Sequence, residues 1–218
     1  MHLRGLDMMS SEKPARRFST LSDYMRYRTG GLTSRAGQWV YQRGIHPDMI
    51  TLIGLVVVAL AAYVIAQGEF FWGAVIILAG APLDAIDGAV ARAMGRKDKF
   101  GALFDSSLDR YADGFIFTGL AYYFSTKGNE TAVLLSMLAM IGTELVSYVR
   151  ARAEGLDLEC KVGLFTRMER MFVILAMLLT GWVVPGLWVL VIGTNLTAFQ
   201  RIWHVYRTIK QQQGDNTA

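Results

Sequence analysis

Residues 84–109 read DAIDGAVARAMGRKDKFGALFDSSLD. Asp84 and Asp87 stand three apart, and Asp105 and Asp109 stand four apart. On a helix, either spacing brings the two side chains to one face. Each pair sits at the edge of a strongly apolar segment. Ionisable groups there are costly, so four together point to a function.

Working outward, the rest of the chain explains where those segments lie. Of 218 residues, 53% are hydrophobic and 18% charged, against about 25% charged in soluble domains. The apolar residues fall in long blocks near Met49–Ala66, Phe70–Val90, Leu103–Phe124, Thr131–Val149, Met171–Val184 and Leu187–Trp203. A helix needs about 20 apolar residues to cross a bilayer. Lipid also demands that backbone polar groups be paired within the segment. The prediction is an all-α, polytopic bundle of six transmembrane helices over residues 47–210. Residues 1–46 form a preceding N-terminal segment. There Phe18, Leu21, Met25 and Leu32 recur at helical spacing among arginines, predicting an interfacial amphipathic helix from Phe18 to about Trp39, interrupted at Gly30 and Gly31. Residues 211–218 are polar and are expected to form a disordered tail.

Hairpin turns are expected at Gln67-Gly68-Glu69, at Ser125–Glu130 and around Pro185-Gly186. Of the 22 Lys and Arg residues, only Lys127 falls in those turns. The positive-inside rule therefore places both termini, and the carboxylates, on the cytoplasmic side of the cell membrane. No secretory signal is visible in the first residues. A single cysteine, Cys160, excludes an intramolecular disulfide. The net charge of +4 fits a surface facing anionic lipid, so no nucleic-acid partner is invoked.

In this topology the second helix ends, and the third begins, at the same depth. Four carboxylates gathered there would repel one another without a counter-charge. Divalent cations resolve this. Hard oxygen ligands suit Mg²⁺ or Mn²⁺, and four carboxylates can share a pair of ions. Asp113, one turn beyond Asp109, reads as a hydrogen-bonding neighbour or a helix-packing group. Gly88, Ala91 and Gly101 serve either close helix packing or the approach of a ligand to the backbone. Arg92 is placed for a phosphate.

The pattern D-x2-D-G-x2-A-R-x8-G-x3-D-x3-D, carried by Asp84, Asp87, Gly88, Ala91, Arg92, Gly101, Asp105 and Asp109, resembles the signature of the CDP-alcohol phosphotransferase family, with every fixed position present. That resemblance implies transfer of a substituted phosphate group from a CDP-linked donor to a hydroxyl, with release of CMP. It implies that Asp84, Asp87 and Asp105 hold two metal ions on the diphosphate. Asp109 would complete that site and act as general base. Gly88, Ala91, Arg92 and Gly101 would lie along the CDP moiety. Relatives imply a homodimer.

Cations at the cytoplasmic ends of the last three spans are Arg150, Arg152, Arg167, Arg170 and Arg201. Arg150, Arg170 and Arg201 are expected to converge on a phosphate of the acceptor, with Arg152, Lys161 and Arg167 as further candidates. Taken singly, each arginine reads as an interfacial anchor of its helix; the pocket is a reading of the set. The segments SYVRARAE, TRMER and QRI resemble those of prokaryotic phosphatidylinositol phosphate synthases. The expected reaction joins a CDP-diacylglycerol or CDP-archaeol type lipid to inositol phosphate. Glycerol 3-phosphate is the alternative acceptor. Outside the family, a divalent-cation transporter would need acidic groups along a path at mid-membrane. An intramembrane aspartyl protease would leave two of the four carboxylates without a role.

Overall fold

The computed structural model describes residues 42–44, 46–93 and 99–215, with the backbone alone at 47, 84–89, 91–93, 214 and 215. The expected interfacial helix at 18–39 lies outside the described residues. These residues form six helices and no strand. The helices are α1 (Pro47–Ala66), α2 (Phe70–Ala93), α3 (Lys99–Thr126), α4 (Glu130–Glu154), α5 (Arg167–Thr180) and α6 (Val183–Asp215).

Local chemistry sets the boundaries. Pro47 opens α1, where its missing N–H costs nothing. Asn129 caps α4, its side chain accepting from the Ala132 N–H at 3.1 Å. Gly181 ends α5 with φ 76°, the left-handed conformation that glycine adopts freely. Here the structure departs from the sequence reading. The last hairpin turns at Gly181-Trp182, not at Pro185-Gly186. Pro185 sits in the first turn of α6, where proline is tolerated. Gly186 is a packing position, since a Cβ there would lie 2.4 Å from Met177 Cβ on α5. At the other end, α6 continues to Asp215, through most of the stretch expected to be a disordered tail. Val205 and Ile209 pack against a buried cluster beneath the α4–α5 loop, which holds the helix beyond the apolar span.

Among the described residues, three helices are long and apolar enough to cross a membrane by themselves: Asp48–Ala66, Glu130–Glu154 and Val183–Gln213. In α2 the apolar part is Phe70–Leu83. The first half of α3 carries Asp105, Asp109, Arg110 and Asp113, and α5 has only 14 residues. The polar load of these elements is what places a site inside the bundle. Outward faces are apolar, as a lipid-facing surface requires. Val56, Phe172, Trp182 and Ile192 are all more than half exposed.

Packing fixes the helix directions. α1 and α3 run side by side and parallel. Asp48 approaches Gly101 at one end, the Ala62 carbonyl meets Gly119 in the middle, and Gly68 meets the Tyr123 ring at the other end. α4 and α6 are parallel neighbours, with Gly142 against Thr194 and the Val146 carbonyl bonded by Arg201. The three short turns thus gather at one end of the bundle. The end of α2, the start of α3 and the loop 155–166 gather at the other. The core (Ile65, Ile77, Ile116, Phe117, Leu120, Leu135, Ile174, Leu190) occupies the half nearer the short turns.

Candidate metal and substrate centre

The second half of α2 carries Asp84, Asp87, Gly88, Ala91 and Arg92, whose side chains lie outside the described residues. Pro82 sits within this helix, one half-turn before Asp84. It withholds the hydrogen bond its N–H would otherwise give to the preceding turn. The following helix, α3, starts at Lys99 and presents Asp105, Asp109 and Asp113 one turn apart. Burial deepens along that row: Asp105 is exposed, Asp109 half-buried, and Asp113 only 5% exposed. Around them the helix consumes its own polar groups. Ser106 and Ser107 donate to the Leu103 carbonyl at 2.9 and 2.8 Å, and Arg110 donates to the Ser106 carbonyl at 2.6 Å. Gly101 is half-buried beside Asp48, at the mouth of α1.

Two of these carboxylates meet arginines from α5. Asp109 Oδ2 pairs with Arg167, and lies 3.9 Å from Arg110 Nη1. Asp113 Oδ2 pairs with Arg170 Nη2 at 3.5 Å, both side chains at least nine-tenths buried. The two rungs match because 109 and 113 lie four apart on α3, and 167 and 170 lie three apart on α5. Thr166, preceding α5, donates its hydroxyl to Glu169, so the helix opens on the T-x-x-E sequence of a capping box. Removing either member of the buried Asp113–Arg170 pair would strand a charge in the bundle, at about 3–5 kcal/mol.

Glu144 of α4 was not anticipated. It is half-buried and within electrostatic reach of Asp113, Arg110, Arg170 and Arg167. The sequence did carry a signal for it, an acid within an otherwise apolar span.

The remaining candidate cations lie near the same end in different settings. Arg201 is 3% exposed. It donates Nε to the Val162 carbonyl at 2.9 Å and Nη1 to the Val146 carbonyl, committing two of its three nitrogens to backbone. Arg150 is exposed and donates Nε to Glu154 at 2.9 Å. Arg152 and Lys161 are exposed, and Lys161 pairs with Glu159. That pairing holds the Glu159 carboxyl below its ordinary range. Burial pushes the Cys160 thiol up, partly offset by Arg201 and Arg150.

For divalent cations the donor chemistry is apt: carboxylate oxygens at the bundle end, with arginines behind them. Among the described residues no three acidic, His or Cys side chains converge as a metal-holding group. Asp84 and Asp87 belong to the expected quartet, and their side chains lie outside the described residues. A separate groove, between α1 and α3 near Tyr63, Gln67, Phe115 and Tyr122, lies toward the short-turn end and offers no carboxylate.

This arrangement of acidic helix ends in a membrane bundle has counterparts. The model of the CDP-alcohol phosphatidyltransferase family matches residues 44–199, more than half the chain. The protein belongs to that family and is a membrane transferase. Its relatives narrow the comparison. It is 36% identical over 186 residues to the phosphatidylinositol phosphate synthase of Streptomyces avermitilis, covering 78% of this chain and 75% of that one. It is 39% identical over 169 residues to the archaetidylinositol phosphate synthase of Methanothermobacter thermautotrophicus, covering 75% and 84%. Among solved structures, Mycobacterium tuberculosis phosphatidylinositol phosphate synthase with CDP-DAG bound superposes with a TM-score of 0.76 at 26% identity, covering 80% of this chain and 93% of that one. The same enzyme has been solved in complex with manganese and citrate, with a TM-score of 0.75 to this chain.

Proposed function

We propose that the protein transfers a phosphatidyl-type group from a CDP-diradylglycerol lipid to a hydroxyl of inositol phosphate, releasing CMP. The observation that carries this reading is the double rung of Asp109–Arg167 and Asp113–Arg170. It joins the acidic end of α3 to a set of arginines suited to a phosphorylated acceptor. The named activities of the relatives agree with it. The active end and both termini are assigned to the cytoplasm by the distribution of Lys and Arg.

The site is assigned two divalent cations, Mg²⁺ or Mn²⁺, held by Asp84, Asp87, Asp105 and Asp109. When bound, they neutralise the diphosphate oxygens and the leaving CMP. The protein's own groups do the rest. Gly88, Ala91 and Gly101 are assigned to let the CDP moiety approach the backbone, and Arg92 is assigned to its phosphates. Arg167 and Arg110 engage Asp109 Oδ2. Asp109 is assigned to orient the acceptor hydroxyl and take its proton as the new ester bond forms. Arg170, the free edge of Arg201 and Arg150 hold the acceptor phosphate, with Arg152 and Lys161 at the rim.

Incubating the purified protein with CDP-diacylglycerol, Mg²⁺ and one acceptor at a time tests the proposal. CMP release with inositol phosphate, and none with free inositol, is expected. Release with glycerol 3-phosphate alone would assign the acceptor differently. Cation flux into vesicles without CMP release would reject the transferase reading.

A further inference from the structure

Between α4 and α5 the chain crosses the active end of the bundle in residues 155–166, and α6 holds this loop at three heights. Thr197 Oγ1 accepts from the Phe165 N–H at 3.0 Å and donates to the Gly193 carbonyl at 2.8 Å. One turn on, Arg201 donates to the Val162 carbonyl from the loop and to the Val146 carbonyl from α4. His204 Nε2 lies 3.3 Å from the Glu159 carbonyl. Positions 197, 201 and 204 share one face of α6. The loop is shaped to meet that face. Gly163 has φ 126°, a conformation open to glycine, and a Cβ there would lie 2.5 Å from Thr197 Cγ2. Beneath it, Leu158 and the fully buried Cys160 pack on Ala153, Val205 and Ile209.

The loop leads directly into the site. Two residues after Phe165 comes Arg167, on Asp109, and three further comes Arg170, on Asp113. Thr197 thus fixes the backbone from which both arginines project. We propose that Thr197 is a positioning residue for the acceptor, strapping the 155–166 loop to α6 so that Arg170 stands where an acceptor phosphate binds. The proposal rests on the acceptor reading above.

The single cysteine gives the strap its own reporter. Cys160 belongs to the loop and is buried against α4 and α6, so its reaction with a maleimide requires the loop to lift. Thr197→Val keeps the side-chain shape and removes both hydrogen bonds. It is expected to speed labelling and to raise the KM for the phosphorylated acceptor, each by about tenfold, as loss of one hydrogen bond's worth of placement would. The kcat and the KM for CDP-diacylglycerol should stay within about twofold, and Thr197→Ser should restore both readouts. Gly163→Ala strains the loop from the other side and should act in the same direction, which covers poor folding of the valine variant. Unchanged labelling in both variants would overturn the strap. Faster labelling with an unchanged acceptor KM would overturn its role in the site. If only glycerol 3-phosphate turns over, the KM is measured with it. The choice of acceptor then fails separately from the strap.

Discussion

The two halves of α3 solve opposite problems with one helix. Its first half carries Asp105, Asp109, Arg110 and Asp113, and each of the last three engages a charge or carbonyl. Its second half carries Ile116, Phe117, Leu120 and Phe124, all buried in the core. Lipid tails are as apolar as these side chains, so association in the second half depends on close fit more than on expulsion of water. Gly119, whose missing Cβ lets the Ala62 carbonyl approach, shows that fit. The first half depends on partners supplied by other helices. Chemistry and stability are therefore separable between Asp105 and the core positions of α3, and substitutions there should report on one and spare the other, whereas the buried Asp113–Arg170 pair serves both.

The largest effect is expected at Asp105. Asp105→Asn removes a charge from the metal set and should lower CMP release by on the order of 10³. Its thermal unfolding should match the parent, because this side chain is exposed. Phe117→Ala should reverse the pattern. Lost contacts around a ring 1% exposed should cost about 3 kcal/mol in a denaturant titration. The kcat of the folded fraction should be unchanged. Gly119→Val forces a methyl-bearing carbon against backbone, 2.5 Å from the Ala62 carbonyl, and should cost about 2 kcal/mol. The smallest effect belongs to the border between the halves. Arg170→Lys keeps a cation for Asp113 but loses the planar fork, and should raise the acceptor KM about tenfold with little change in kcat. A fall in kcat with constant KM would place Arg170 among the groups acting on the reaction itself.

The helices were legible because the apolar blocks are long and are set apart by turn residues. The acidic stretch was legible because carboxylates are conspicuous in such blocks. The last hairpin was misplaced by four residues or so. A Pro-Gly pair reads as a turn, while its actual use, a first helical turn and a contact with Met177, depends on a neighbouring helix. The extension of α6 was hidden for a similar reason, since Val205 and Ile209 matter only once the loop folds over them. The partnership of Arg167 with Asp109 joins positions 58 apart and leaves no local periodicity. Thr197 is still less visible: a threonine in an apolar helix ordinarily bonds its own preceding turn, and Thr197 does that as well.

The central claim is that α2 and α3 bring their carboxylates to one shared cation site. Electron paramagnetic resonance of Mn²⁺ titrated into the purified protein tests it directly. Two bound Mn²⁺ per chain, coupled to each other, are expected, with loss of binding on both Asp84→Asn and Asp105→Asn, though the two residues sit on different helices. Undisturbed Mn²⁺ binding in either variant would contradict a shared site.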